Sequence, residues 1–244
     1  MKKTIQLFVL GALLISFIGS AQWSSNNTIK GNGNVVSETR TTPDYDLIKV
    51  SGSFDVDLVA GKEGKIIIKG DENLISSVKV EVEDNTLKIY IEKGAGIRPR
   101  IGKKILITIP FEKISELNLS GSGNIQSKDV IKNDKFLVKL SGSGKFNLAV
   151  DTNALDLNLS GSGNVHLKGT TTNFTTKLSG SGAIDAVNLK SKNVDVNVSG
   201  SGNSRVTCNE SLTARVSGSG NIKYSGNPEK RDVKVSGSGN ISKA

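Results

Sequence analysis

Little in this 244-residue sequence suits acid–base or metal chemistry, for it holds one His, one Cys and one Trp. A single Cys excludes an internal disulfide framework and any multi-Cys zinc site. A single His counts against most hydrolytic metal centres. Aromatic residues make up 5% of the chain and hydrophobic residues 36%, so a core must be built from Leu, Ile and Val. At this length one or two domains with a substantial core are expected.

The chain opens with Met1, Lys2 and Lys3, then an apolar run from Ile5 to Ile18, then Gly19, Ser20 and Ala21. A charged start, an apolar stretch and small residues before a cut define a secretory signal peptide over 1–21, followed by a short linker over 22–27. The run is shorter than the ~20 apolar residues of a spanning helix. No Cys lies near the cut to take a bacterial lipid anchor, and no later segment could span a bilayer. The mature chain is therefore expected outside the cytoplasm: in the periplasm, on the cell surface or released.

Loss of Lys2 and Lys3 lowers the formal charge from +9 to +7. The excess is thinly spread, densest at Arg98, Arg100, Lys103 and Lys104. A solvated loop accounts for that patch; the sharper alternative is contact with an anionic glycan or a phosphate-rich surface. Nucleic acid is not expected as a partner of an exported chain without interleaved aromatics.

The dominant feature is repetition. SGSG recurs with its first Ser at 120, 141, 160, 179, 199, 217 and 236, and a degenerate SGSF begins at Ser51. Serine and glycine alone could form a flexible linker, so the flanks decide. The residue before the first Ser is Leu119, Leu140, Leu159, Leu178, Val198, Val216 or Val235, always apolar. The residue before that is Asn118, Lys139, Asn158, Lys177, Asn197, Arg215 or Lys234, always polar. Five after the first Ser stand Ile125, Phe146, Val165, Ile184, Ser204, Ile222 and Ile241, with one polar exception. Alternation on both sides of a Ser/Gly turn marks a strand with one buried face.

Each unit thus reads as strand, SGSG corner, strand and a variable loop such as KGTTTN or NLKSKN. About 19 residues cannot bury a face alone, so units must stack. They could stack as coils of a parallel β-helix or as hairpins of an antiparallel meander. The coil is favoured because stacking makes the constancy of the corner useful. Its structural residues would be Gly121, Gly123 and Asn124; Gly161, Gly163 and Asn164; Gly200, Gly202 and Asn203; Gly218, Gly220 and Asn221; and Gly237, Gly239 and Asn240. Stacked Asn amides can bond along a ladder, and glycine accepts the positive φ of a tight corner. The fold expected over 119–244 is an all-β solenoid.

Residues 28–118 read differently, as longer strands with irregular breaks: DLIKVSG, FDVDLVA, KIIIKG, SVKVEVED, TLKIYIEK and KILITIP. Asp84-Asn85 between two alternating runs suits a hairpin turn. This part is expected to be partly antiparallel and to cap the exposed end of the stack.

The segments IKGNGNVVSETR at 29–40, DLIKVSGSFDVDLVAG at 46–61 and DENLISSVKVEVEDNTLKIYI at 71–91, continued by ILITIP at 105–110 and LNLSGSGNI at 117–125, together with the signal peptide, resemble the head GIN domain family. That family is described as autotransporter adhesin heads and is abundant in Bacteroidetes-type bacteria. The resemblance covers roughly residues 28–244 and implies a right-handed β-helix-like fold on an exported protein. It carries no catalytic residues across. No autotransporter barrel follows Ser236, so such an adhesin would not secrete itself.

Stacked coils place outward residues in columns, where chemistry can be sought. Six after the first Ser the column reads Gln126, Asn147, His166, Asp185, Arg205, Lys223 and Ser242. His166, Asp185 and Arg205 would then lie on consecutive coils, a constellation that some polysaccharide-splitting β-helices use. Favourable opposite-charge neighbours on a solvated face are the preferred reading, because this position points to solvent. Four before the first Ser, Glu116, Asp156, Asp195 and Asp232 alternate with Leu137, Thr175 and Thr213. Acids two coils apart, roughly 9–10 Å, cannot share one calcium ion. Cys208 lacks a partner and reads as a buried small residue. The corner serines have no His base, and the corners lack the Lys-Ser/Thr and following helix of a phosphate loop. No cofactor and no metal are expected.

The function expected is that of a non-catalytic, adhesin-like solenoid presenting flat polar faces to a surface, glycan or protein partner. The alternatives are a polysaccharide-acting enzyme on the same scaffold and a passive envelope or stress protein. Open solenoid ends could also pair into homo-oligomers.

Overall fold

The computed structural model describes residues 27–92, 95–100 and 104–244. The expected signal peptide, most of the linker and Lys103 lie outside the described residues. Strands run in the order β1 (Asn27–Lys30), β2 (Val35–Thr41), β3 (Leu47–Ser51), β4 (Asp55–Ala60) and β5 (Lys65–Asp71). After the short helix α1 (Glu72–Ile75) come β6 (Val78–Glu83), β7 (Thr86–Ile91), β8 (Ala95–Arg98), β9 (Leu106–Phe111) and β10 (Glu116–Gly121). Five long strands follow: β11 (Asn124–Gly142), β12 (Lys145–Gly161), β13 (Asn164–Gly180), β14 (Ala183–Gly200) and β15 (Asn203–Gly218). The chain closes with β16 (Asn221–Ser225), β17 (Lys230–Ser236) and β18 (Asn240–Lys243).

The units stack as coils, not hairpins. Ser51, Ser120, Ser141, Ser160, Ser179, Ser199, Ser217 and Ser236 form one parallel, in-register ladder. The result is a β-solenoid of about 7 turns. Alternation gives it one continuous interior. Val50, Leu119, Leu140, Leu159, Leu178, Val198 and Val216 are each no more than 2% exposed. On the other side of the corner Val56, Ile125, Phe146, Val165, Ile184, Ser204 and Ile222 are buried to the same degree. Each such Leu, Ile or Val contributes about 1.5–3 kcal/mol as an upper bound.

Stacking, not turn type alone, makes the corner invariant. Gly161 has φ +113°, and a Cβ there would lie 2.6 Å from the carbonyl oxygen of Gly142 on the preceding coil. Gly163 has no unusual φ, yet its Cβ would lie 2.7 Å from the Gly144 oxygen. Those carbonyls accept coil-to-coil bonds: Ser162 N–H donates to Gly142 O at 3.0 Å and Asn164 N–H to Gly144 O at 3.0 Å. Any side chain would separate the coils and break these bonds. The Asn ladder, by contrast, is partial. Asn221 Nδ2 donates to Asn203 Oδ1 at 3.0 Å, whereas Asn164 stands between Lys145 and Ala183.

The stretches read as variable loops are laddered strand. Thr170 and Thr171 in KGTTTN pair with Asp151 and Thr152, and Ser191 in NLKSKN pairs with Thr171. The reason is that alternate polar residues there turn inward. Thr152, Thr171, Ser191 and Cys208 form a buried column of small polar groups. Thr152 Oγ1 donates to Thr171 Oγ1 at 3.0 Å, Thr171 Oγ1 to Asn173 O at 3.1 Å, and Cys208 Sγ to Ser211 O at 3.1 Å. Small polar groups satisfied by a column neighbour or a nearby main-chain carbonyl cost little to bury.

The first coil is closed by antiparallel pairs. β3 is continued by β7, which pairs antiparallel with β6 across a two-residue turn where Asp84 (φ 48°) and Asn85 (φ 59°) are left-handed. β4 is continued by β9, then by antiparallel β5 and β2. Helix α1 buries Leu74 and Ile75 against this end. Arg40 ties the pieces together, donating to Val78 O at 3.0 Å and Ile75 O at 3.2 Å. The other end has no such cover: Val233 and Val235 on β17 are 50% and 40% exposed.

Candidate functional site

The outward columns are set by the inner ones, because a residue next to a buried position in a strand must face out. Beyond the corner, Asp57, Gln126, Asn147, His166, Asp185, Arg205, Lys223 and Ser242 occupy successive rungs of one ladder. The three residues singled out from the sequence do meet. Arg205 Nη2 donates to Asp185 Oδ2 at 2.5 Å, and His166 Nδ1 lies 3.6 Å from the same oxygen. His166 and Arg205 are exposed and Asp185 half-buried. The His is flanked by Asn147 on one rung and the Asp185 carboxylate on the next.

Toward the capped end the same face opens into a groove of about 440 Å³ lined by Asp55, Asp57, Asn124, Gln126, Lys145 and Asn147. Its carboxylates are already engaged. Asn124 Nδ2 donates to Asp55 Oδ1 at 2.8 Å and Lys104 Nζ lies 3.0 Å from that atom. Gln126 Nε2 donates to Asp57 Oδ1 at 2.6 Å, with Lys128 Nζ 3.4 Å from Asp57 Oδ2. Among the described residues, no group of three or more His, Cys, Asp or Glu is arranged to hold a metal ion. What this face supplies is a two-column array of amides, carboxylates and cations repeating every ~4.8 Å.

The basic patch is divided. Lys104 serves Asp55 as above, while Arg98 and Arg100 line a separate open depression with Lys30 and Gly31. Cys208 is fully buried, and burial pushes its thiol above the ordinary range, outweighing hydrogen bonds that act the other way.

On the opposite flank of the corner two acids are met by bases of the next coil, Glu116 by Lys139 and Asp232 by Arg215. Glu116, Asp156, Asp195 and Asp232 lie on alternate rungs, with Lys139, Lys177 and Arg215 on the rungs between. Lys139 Nζ lies 3.0 Å from Glu116 Oε1, and Asn118 Nδ2 donates to the same oxygen at 2.6 Å. Burial pushes the Glu116 carboxyl up, but these two hydrogen bonds outweigh it and hold it below the usual range. The sequence signal for this pairing was present as two anti-phased columns, visible only once their rungs interleave.

A family profile described as "Putative auto-transporter adhesin, head GIN domain" matches residues 44–228. The chain belongs to that family. Solved structures repeat the solenoid. A "putative adhesin" from Bacteroides fragilis superposes with a TM-score of 0.81 at 24% identity, covering 88% of this chain and 100% of that one. A "putative lipid binding protein" from Parabacteroides distasonis gives 0.74 at 29% identity, covering 89% and 99%. A further "putative adhesin" from Parabacteroides merdae gives 0.65 at 23% identity, covering 89% and 99%. No curated protein is detectably similar. The head GIN match begins just before β3 and ends after β16, so it takes in the ladder face and most of the coils. Membership fits an adhesin-like, non-enzymatic role on an exported or surface protein. Among the described residues no helix is long and apolar enough to cross a membrane.

Proposed function

We propose that this head GIN protein is an exported, non-catalytic adhesin that holds an extended polar polymer, a cell-surface glycan, along the ladder running from Asp57 to Arg205. The observation that carries the reading is the in-register column of hydrogen-bonding side chains. A polymer laid along the solenoid axis meets donors and acceptors at the same ~4.8 Å step from coil to coil. Many weak polar contacts in register then add without any deep pocket. The division into a cap over 28–118 and a repeat stack over 119–244 is part of this proposal, with the cap closing the stack and the coils carrying the ligand.

The test is retention on a panel of surface polysaccharides for wild type and for Asn147→Ala combined with Arg205→Ala. Retention lost in the double variant, with unfolding unchanged, supports the reading. Equal retention by both proteins removes the ladder from binding. Depolymerisation of a uronate-containing glycan that vanishes in His166→Ala would instead favour an enzyme, on the strength of the His166–Asp185–Arg205 cluster.

A further inference from the structure

Lys30 and Arg98 stand directly opposite each other, on one rung of the parallel pair β1 and β8. Both are exposed, and both line an open depression of about 490 Å³ with Gly31, Pro99 and Arg100. Like charges set opposite on neighbouring strands repel. Among the described residues no carboxylate lines this depression, and none pairs with Lys30, Arg98 or Arg100. The Asp71 carboxylate packs against Gly31 with both oxygens buried, so it does not reach the depression. Glu72 accepts from Asn34 Nδ2 at 2.7 Å. Pro99 also borders the neighbouring cavity, where Lys69 adds a further cation and Lys104 is taken up by Asp55.

The cations stand on a fixed frame. Gly31 N–H donates to Arg98 O at 3.0 Å, joining the two strands beside the charged rung. Asn73 Nδ2 donates to Lys30 O at 2.7 Å and Asn73 Oδ1 accepts from Asn32 N–H at 3.0 Å, so α1 fastens the backbone on either side of Gly31. Arg100 lies across Gly33, where a Cβ would come within 2.5 Å of Nη1. Three positive side chains bordering one space create a local positive field that an anion from solution would offset.

We propose that this depression is a binding site for a phosphate monoester, carried on a sugar or on a lipid headgroup. The choice of anion follows from the donors. Two guanidinium forks and one ammonium match the three terminal oxygens of a phosphate monoester, which carries a charge of about −1.5 to −2 at neutral pH. A carboxylate offers two oxygens and a single charge to the same three cations. The site shares no residue with the ladder from Asp57 to Arg205 and does not depend on the glycan reading.

The experiment is isothermal titration of the intact protein with glucose 6-phosphate, with glucuronate as the carboxylate comparison. Co-sedimentation with phosphatidylcholine vesicles, with and without phosphatidic acid, runs beside it. Expected is saturable glucose 6-phosphate binding, weakened at least tenfold by Arg98→Ala combined with Arg100→Ala. Lys132→Ala combined with Lys190→Ala removes the same charge elsewhere and should leave binding unchanged. All four residues are exposed, and matching urea midpoints would show that the fold is kept. Sedimentation with phosphatidic acid but no response to glucose 6-phosphate, with the same dependence on the two arginines, supports the site and places the phosphate on a lipid. Absence of phosphate-dependent binding in both arms overturns the site, as does equal affinity for glucuronate or equal weakening by the two double variants. Asn147→Ala combined with Arg205→Ala should leave phosphate binding intact, so failure of the ladder and failure of this site are read separately.

Discussion

Arg215 grips Asp232 twice: Nη1 donates to its backbone carbonyl at 2.8 Å while Nη2 pairs with its carboxylate. The two residues sit on adjacent coils at the uncovered end, where β17 stacks on β15 and, among the described residues, no strand pairs with the other edge of β17. A bidentate guanidinium contact fixes an edge strand that would otherwise fray.

Arg215→Gln should therefore loosen the last coil without unfolding the rest. Amide exchange in Lys230–Ser236 is expected to quicken markedly, while global stability falls by less than about 1 kcal/mol, since the pair is exposed. Hydrogen exchange read by mass spectrometry checks this; unchanged protection in that strand would show that Val233 and Val235 hold it unaided.

At the corner, Gly161→Ala combines a left-handed φ with a clash on the Gly142 carbonyl. The expected loss is about 2–5 kcal/mol. Ser160→Ala, one residue earlier and exposed, should stay within about 0.5 kcal/mol. Gly163→Ala has no φ penalty, so a substantial loss there would isolate the stacking clash. Urea midpoints compare the three.

Much of this was legible beforehand, for a definite reason. A side chain's parity fixes its face, so counting from Ser120 or Ser160 places Leu119, Ile125 and His166 without coordinates. Parity failed where burial is polar. Thr152, Thr171 and Ser191 look like loop residues by hydropathy, and only the folded chain reveals their partners: Thr171 on the next coil for Thr152, and main-chain carbonyls two residues away for Thr171 and Ser191. The N-terminal part was legible in its strands but not in α1, because the four residues Glu72–Ile75 are too few to show a helical period.

Cys208 occupies the end of the hydroxyl column, so Cys208→Ser should keep the bond to Ser211 O and fold with a loss below about 1.5 kcal/mol. The wild-type thiol is protonated more tightly in the folded state than its ordinary value of 9.0. Its contribution to stability is thus complete below pH 9.0 and is lost as pH rises from there through the raised folded value. The Ser variant should lack that alkaline component. Denaturation midpoints between neutral and alkaline pH, with alkylation of the wild type slow until it unfolds, provide the check.

Glu116 behaves in the opposite sense. Its carboxyl is held below 4.5 in the fold, so its contribution is present above that pH and is lost as pH falls through the lowered folded value. Lys139→Ala removes one of the two bonds and leaves burial, which should raise the Glu116 titration midpoint. Carboxyl NMR detects the change; a midpoint unmoved by the substitution would assign the depression to Asn118 and the Lys49 charge.

From Glu116 to Arg215 acid-bearing and base-bearing coils alternate, and this also sets a grain size for evolution. Duplicating one coil would leave every inward residue aligned but set carboxylate against carboxylate, or ammonium against ammonium, on that flank. Duplicating two adjacent coils preserves both the interior and the charge pattern. Chain length on this scaffold should therefore change most easily in paired steps, with the odd step demanding compensating substitutions at the seam.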